Sequence, residues 1–502
     1  MGADQSVEDT WSTYDESNSA MGSRQSKGPT LEEALRILSP GEQADLSAAF
    51  DQLTADKTNS KPKTKEQAEM FDFAAFKNLV SGLLPLDFAE TLFKVMCKCS
   101  EKVKDSFADR KGLFVTVALL VKGSVPDKAK VYVLMGSGGD KHITSDQLHH
   151  MTCSLISAAL HSKHLNPRAV IWGGQDKDSN ARLARVFLDD ATFRPEQGNG
   201  DKFTASQLSD WMVNHHLVIR LFEAVFRSCF FSASDLSGDE VDSAARVAAQ
   251  AMGEDEDDHP NDPLLPVILK HHMNGPSANE TASHSLLDSS SVLFINHHIP
   301  RAHRHLWRQL FSSSLHGESF SSLLKYSTGR GPTVLLVQDT DDHVFGGFAS
   351  TSWEISSNFI GDEHCFLFSL KPEMKVYRPT GYNNHYMYLN HGMQTMPNGL
   401  GMGGQHGYFG LFLDHEYGRG HSKAHPHSTT YHSPQLSNQD EFQVKHIEVW
   451  AVGLPVDHHP VGKGSILDSN LDVQALMEMV TGKPVSGLYE PKLVDDDNDD
   501  ED

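Results

Sequence analysis

Cysteine is scarce in this chain: Cys97, Cys99, Cys153, Cys229 and Cys365 are the whole set in 502 residues. An odd number with no pair of Cys-x-x-Cys motifs supplies neither a disulfide framework nor a zinc site, and it fits a reducing compartment. Cys97 and Cys99 fall on a helical pattern, where packing rather than metal binding explains them. Long apolar runs are missing too. The longest, Leu113 to Val121, reaches about half of a bilayer span. No cationic leader precedes an apolar stretch, so neither membrane insertion nor secretion is expected. Positive charge is short, with 43 Lys and Arg against 67 Asp and Glu and a net charge of −24. Sequence-independent nucleic-acid binding needs clustered cations and is not expected here. Part of the acidic excess is local, in "GEDEDD" (253–258) and the closing "DDDNDDED", which read as solvated segments. Catalytic signatures are also lacking. There is no Gly-x-Ser-x-Gly elbow and no His-Glu-x-x-His, and "SLLK" at Ser322 matches Ser-x-x-Lys without its companion motifs.

One pattern is present twice. Met-Gly followed by three residues and Ser occurs at Met1–Ser6 and again at Met21–Ser26. Removal of Met exposes a glycine that can carry myristate, so Gly2 or Gly22 is the candidate acceptor. The second copy has Arg24 and Lys27 beside it, which favour an anionic leaflet, whereas Asp4, Glu8 and Asp9 surround the first. Translation starting at Met21 as well as Met1 would keep an acylatable glycine in either product.

After a polar leader (1–30), residues 31–232 carry apolar positions at helical spacing with no competing strand alternation. A loop-then-helix phrase recurs at "MFDFAAFKNLV", "HITSDQLHHM" and "KFTASQLSDWM". Each places Phe71, Ile143 or Phe203 just before a candidate N-cap: Asp72, Thr144 or Thr204. The phrase is like the second half of an EF-hand, but the calcium ligands are missing. A loop begun at Asp56 puts Pro62 at the turn and Gln67 where a bidentate Glu belongs, and "GSGGDKH" from Gly136 offers one carboxylate. An EF-hand-like shape without calcium binding is expected.

Residues 233–284 are acidic and rich in Ser, Asn and Pro, the composition of a linker, within which "LPVILKHHM" allows a short helix or a chance apolar run. An amphipathic helix is expected around "HRHLWRQLFSSSL", with Leu306, Leu310 and Phe311 on one face. Seven short runs follow: "TVLLVQD", "HVFGGFAS", "CFLFSL", "KVYRP", "HYMYLN", "YFGLFLD" and "HIEVWAVG". Rich in β-branched and aromatic residues and separated by turn formers, they predict two packed sheets with helices at an edge or end. "GLGMGG" (399–404) does not read as a dinucleotide loop, because a strand-like run follows it; glycines there are expected between strands, where φ is positive or backbones approach closely.

These residues resemble the TLDc domain family over 285–455, through "RGPTVLLVQDTDDHVFGGFAS", "NGLGMGGQHGYFGLFLD", "TTYHSPQL" and "FQVKHIEVWAVG". Gly346, Gly347, Trp353, Gly401, Gly403, Gly404, Glu448 and Trp450 are the positions that carry the likeness. The order of acylation signal, helical EF-hand-like region, this domain and a C-terminal helix resembles the lysosomal branch of the family linked to mTOR signalling. The resemblance implies an α+β chain whose sandwich binds the peripheral sector of the vacuolar proton-pumping ATPase. It further implies that a helix after the domain wedges into the pump. In 456–502, Asp468 or Ser469 can cap such a helix, Val473, Leu476, Met477 and Val480 share one face, and Gly482 and Pro484 stop it.

The resemblance leads to the expectation of a non-enzymatic adaptor on the cytosolic face of the lysosome, held there by myristate. Its expected partners are the pump and mTOR complex components, with no cofactor and no metal. The alternatives are an mTOR-recruiting scaffold with secondary pump contact, and a TLDc enzyme protecting against oxidation. Of the 29 histidines, His415, His421, His425, His427 and His432 cluster in one stretch. Loop composition or weak pH sensitivity explains them better than a zinc site. Cys365, in an apolar strand, is expected to be a buried and inert thiol.

Overall fold

The computed structural model describes residues 29–55, 70–101, 106–161, 177–189, 201–231, 264–268, 285–393 and 395–454. The acylation signals, the loop from Asp56 and the C-terminal helix positions lie outside these residues.

The helical region is built from α1 (Leu31–Ile37), α2 (Pro40–Ala55), α3 (Phe73–Leu79), α4 (Leu86–Cys99), α5 (Arg110–Lys122), α6 (Val125–Gly136), α7 (Ser145–His161), α8 (Lys177–Leu188), α9 (Ala205–Asn214) and α10 (His216–Phe230). The first begins at a reciprocal cap in which Thr30 N–H donates to Glu33 Oε2 (2.8 Å). The longest apolar run becomes α5, whose residues Gly112–Val121 are all buried, so it is hydrophobic all round as a central helix must be. No described helix is long and apolar enough to cross a membrane.

Four short strands break the expectation of an all-helical region. β1 (Met70–Phe71) pairs antiparallel with β2 (Ala108–Asp109), and β3 (His142–Thr144) pairs with β4 (Lys202–Thr204). Three of them, β1, β3 and β4, lead into helices whose caps are the expected residues: Asp72 accepts from Ala75 N (2.9 Å), and Thr144 and Thr204 accept from Gln147 N and Gln207 N (both 3.3 Å). A fourth unit, capped by Asp109 accepting from Gly112 N (2.9 Å), was not apparent in the sequence. Its pre-cap residue is Ala108, too small to give the staple signal of Phe71, Ile143 and Phe203.

Within 264–268, the run of open character forms β5 (Val267–Ile268), which pairs in parallel with β6 (Leu306–Ser312). The amphipathic helix expected over this last segment is therefore corrected to a strand. The helix of this part of the chain is α11 (Ser289–His298), which ends before it. Leu306, Leu310 and Phe311 fit helical spacing, but nearly every residue of β6 is buried, with strands on both sides, so no face pattern marks it as β. Two short helices follow, α12 (Ser313–His316) and α13 (Phe320–Ser327).

The remaining strands are β7 (Thr333–Asp339), β8 (Val344–Ala349), β9 (Phe366–Lys371), β10 (Lys375–Tyr377), β11 (Met387–Asn390), β12 (Gly399–Gln405), β13 (Tyr408–Asp414), β14 (Arg419–His421) and β15 (Glu441–Val452). They run in the order β10-β9-β8-β7-β15-β14-β13-β12-β11. The long β15 belongs to two sheets: Glu441–Gln443 pair with β14, while Val444–Ala451 pair with β7 and Glu448–Val452 with β6. One core lies between the sheets, where Leu335, Val337 and Leu367 meet Leu400, Met402 and Leu411. The other face of the β7–β9 sheet, through Val334, Phe348, Phe366 and Trp450, joins α11 and the helical region in one continuous apolar cluster. Three layers result: helices, sheet, sheet.

"GLGMGG" is itself a strand, β12, bonded to β11 and β13 on its two sides. The expectation that these glycines sit between strands is corrected. They are glycines because neighbours press on them: a Cβ at Gly401 would sit 2.8 Å from the Phe409 ring, and at Gly404 (φ +82°) it would run into the Tyr408 carbonyl oxygen.

Candidate functional site

The residues that mark the domain converge on its joints. Gly346 and Gly347 lie in β8: a Cβ at the first would strike the Leu335 carbonyl of the neighbouring strand β7, and at the second Met402 Sδ of β12, so the bareness of Gly346 lets β8 lie against β7 and that of Gly347 lets the two sheets close. Trp353 is buried, and its indole N–H donates to Thr333 Oγ1 (2.9 Å), fixing the loop after β8 to the start of β7. Gly403 (φ +72°) makes room for the Tyr431 ring, whose hydroxyl donates to Tyr386 O (2.9 Å).

Glu448 is the most constrained of them. It is 0% exposed. Its Oε1 accepts from Leu286 N–H (2.9 Å) and faces His446 Nε2 (3.3 Å); its Oε2 accepts from Ser285 Oγ (2.8 Å) and Trp450 Nε1 (3.0 Å). Four donors on one buried carboxylate offset the cost of removing a charge from water. The chain just before α11 is thereby tied to the centre of β15.

His446 extends this network. Ser313 Oγ lies 2.7 Å from its Nδ1, and Ile447 N–H donates to the same hydroxyl (3.2 Å). With the proton assigned to Nε2, Ser313, His446 and Glu448 have the connectivity of a serine–histidine–acid relay. Sequence reading missed this set, since Ser313 and His446 are 133 residues apart and no motif flanks either. Ser313 is only 5% exposed and its oxygen already accepts a backbone N–H, so a reacting carbonyl cannot reach it without moving α12. The arrangement acts as a joint. Ser322, in α13, spends its backbone N–H on the Ser319 cap (3.4 Å), and Lys325 lies over the Tyr326 ring (5.7 Å).

The clustered histidines do not converge. His415 Nδ1 pairs with Asp414 (3.0 Å) and His425 Nε2 with Asp440 (2.9 Å), while the His427 and His432 rings lie tilted against each other with centroids 4.2 Å apart. His421 stacks on Phe412 (4.8 Å), and burial, helped by Lys423, pushes its pKa down to about 4. Among the described residues, no group of three or more His, Cys, Asp or Glu is placed to hold a metal.

Cys365 is fully buried beside Ser350 Oγ (3.1 Å), and burial raises its pKa. The same cause lifts Cys99 to about 11 and Cys229 to about 12 and raises Cys153. These thiols are held protonated, the unreactive form.

Gly2 and Gly22, and Val473, Leu476, Met477 and Val480, lie outside the described residues. What the structure brings together is the set that assembles the sandwich.

The TLDc domain family matches residues 280–453. The chain is 36% identical to the chicken (Gallus gallus) MTOR-associated protein MEAK7 over 483 residues, 92% of this chain and 96% of that protein. Its human counterpart is 36% identical over 88% of this chain and 92% of its own length, and the zebrafish (Danio rerio) protein 37% identical over 77% and 80%. With more than a third of its residues shared across nearly its whole length, and a TLDc domain in the region whose joints are described above, the chain belongs to the family of the MTOR-associated protein MEAK7.

Proposed function

We propose that this chain is a non-enzymatic adaptor that sits on the cytosolic face of the lysosome, binds and regulates the vacuolar proton-pumping ATPase, and connects to mTOR signalling. The observation that carries this reading is the extent of the likeness: 92% of the chain, far more than the TLDc domain, aligns with a protein whose name states an association with mTOR. The pump is added by the resemblance of 285–455 to TLDc domains. Two features of the fold support an adaptor: the family-marking residues are spent on holding the sandwich together, and the described thiols with resolved shifts are held protonated.

In this reading, myristate at Gly2 or Gly22 gives reversible contact with the membrane, at an association constant on the order of 10⁴ M⁻¹. Docking of the sandwich on the pump's peripheral sector supplies a second contact. Each raises the effective concentration for the other, so neither needs to be tight. The helix carrying Val473, Leu476, Met477 and Val480 then enters the pump, its methionines adapting to the groove. A scaffold that recruits mTOR, with pump contact secondary, is the second reading, favoured by the relatives' name.

The test compares lysosomal recovery of the full chain with that of Gly2→Ala/Gly22→Ala, and captures partners from lysosomal extracts of both. The adaptor reading expects loss from lysosomes in the variant, and capture of the pump's peripheral sector by the unchanged chain. Capture of mTOR components without the pump would favour the scaffold, and undiminished lysosomal recovery of the variant would remove the anchor.

A further inference from the structure

A cavity of about 520 Å³ opens where the helical region meets the β-sandwich, a size within the usual range of small-ligand sites. Its walls come from three elements distant in sequence. α8 contributes Arg182 and Arg185 together with Asp189 just past its end, α11 contributes Phe294 and His298, and the β9–β10 hairpin contributes Glu373, Lys375 and Arg378. Val186, Phe294, Met374 and Val376 make an apolar floor beneath the charged rim.

The charge balance of these walls departs from that of the chain. Four cations face two carboxylates here, in a protein whose net charge is −24. Three of the four are arginines, whose planar forks match phosphate oxygens in pairs. His298 adds no positive charge: burial keeps its imidazole neutral, and Arg378 approaches its Nδ1 at 3.2 Å. Because the cations stand on different walls, a single anionic group satisfies only part of the set, whereas a compact molecule with several anionic groups reaches both α8 and the hairpin.

We infer that this cavity binds a compact polyanion bearing at least two phosphate groups, held between the α8 arginines and the hairpin cations. An inositol polyphosphate and the head group of a phosphoinositide share this chemistry. The bound molecule bridges the helical region and the sandwich and so tightens their junction. This is independent of the pump reading and stands if that reading fails.

The test uses the non-acylated full chain, titrated calorimetrically with inositol hexakisphosphate at an ionic strength of about 0.15 M, where loose surface attraction is screened. A parallel arm measures sedimentation with phosphatidylcholine vesicles, with and without a bisphosphorylated phosphoinositide. Arg185 and Lys375 are both exposed, so Arg185→Glu/Lys375→Glu leaves the core intact, which circular dichroism checks. Binding weakened at least about 30-fold by the double change is expected, as loss of two charge-assisted contacts predicts. Glu373→Gln removes an acid from the wall and is expected to tighten binding about three- to tenfold, a gain that a purely structural role would not produce. The same pattern on phosphoinositide vesicles alone supports the proposal with lipid as the source. Equal binding by the double variant, or no binding to either probe, overturns it.

Discussion

Replacing Glu448 by glutamine changes one atom in the centre of the sandwich, and the structure says why the change is expensive. Each carboxylate oxygen serves two donors. On Oε1 these are Leu286 N–H and His446 Nε2; on Oε2 they are the Ser285 hydroxyl and the Trp450 indole N–H. Glutamine turns one of the oxygens into an NH₂. The serine hydroxyl can rotate to accept from it, and the histidine can change tautomer, but the backbone N–H of Leu286 and the indole N–H of Trp450 can only donate. Either amide orientation therefore leaves one fixed donor facing another inside the protein. The unsatisfied donor costs about 1–3 kcal/mol, and loss of charge-assisted bonding adds to it, for a total of about 2–4 kcal/mol. Urea unfolding followed by tryptophan fluorescence reads this through Trp307, Trp353 and Trp450, which all lie in the sandwich. Hydrogen exchange at the Leu286 amide and the Trp450 indole locates the loss. A change below about 0.5 kcal/mol, with both sites still protected, would refute the reasoning, because it is the size of an ordinary surface substitution.

Gly404→Ala puts a Cβ at φ +82° against the Tyr408 carbonyl, at a cost of about 2–3 kcal/mol, and thermal unfolding should shift down by several degrees; an unchanged midpoint would show that β12 can yield there. His421 titrates at about 4 in the fold against an ordinary 6.5, so the unfolded chain binds the extra proton between those values. Stability from this site is complete above about pH 6.5 and is lost as pH falls toward 4, at no more than about 1.4 kcal/mol per pH unit. His421→Phe should flatten the pH dependence of urea unfolding in that window, and an identical slope would contradict the assignment. The native chain should alkylate slowly with maleimide at Cys99, Cys229 and Cys365, and rapidly once unfolded; fast native labelling at Cys365 would reopen a direct redox role.

What could be read from the sequence follows from how local each signal is. Runs such as "TVLLVQD" and "CFLFSL" declare strands because β-branched and aromatic residues crowd between turn formers, and the caps Asp72, Thr144 and Thr204 declare helix starts within a few residues. β12 was hidden because glycine carries no strand preference. Its assignment depends on the Phe409, Phe412 and Tyr431 rings that need the space, and those rings lie elsewhere in the chain. β6 was hidden because burial on both faces erases alternation. The Glu448 joint and the cationic cavity were beyond sequence reading for one reason: Ser285 stands 163 residues from Glu448, and α8 stands far from the β9–β10 hairpin. The TLDc likeness located the domain, yet it could not say that its hallmark residues serve packing.

The measurement that bears most directly on the adaptor account is binding of the purified, non-acylated chain to purified vacuolar pump while ATP hydrolysis is recorded, comparing the unchanged protein with Met477→Asp/Val480→Asp. The account predicts saturable binding that alters turnover, and a double variant that binds more weakly or binds without effect. No binding by either protein would contradict it and leave the mTOR scaffold as the reading to pursue.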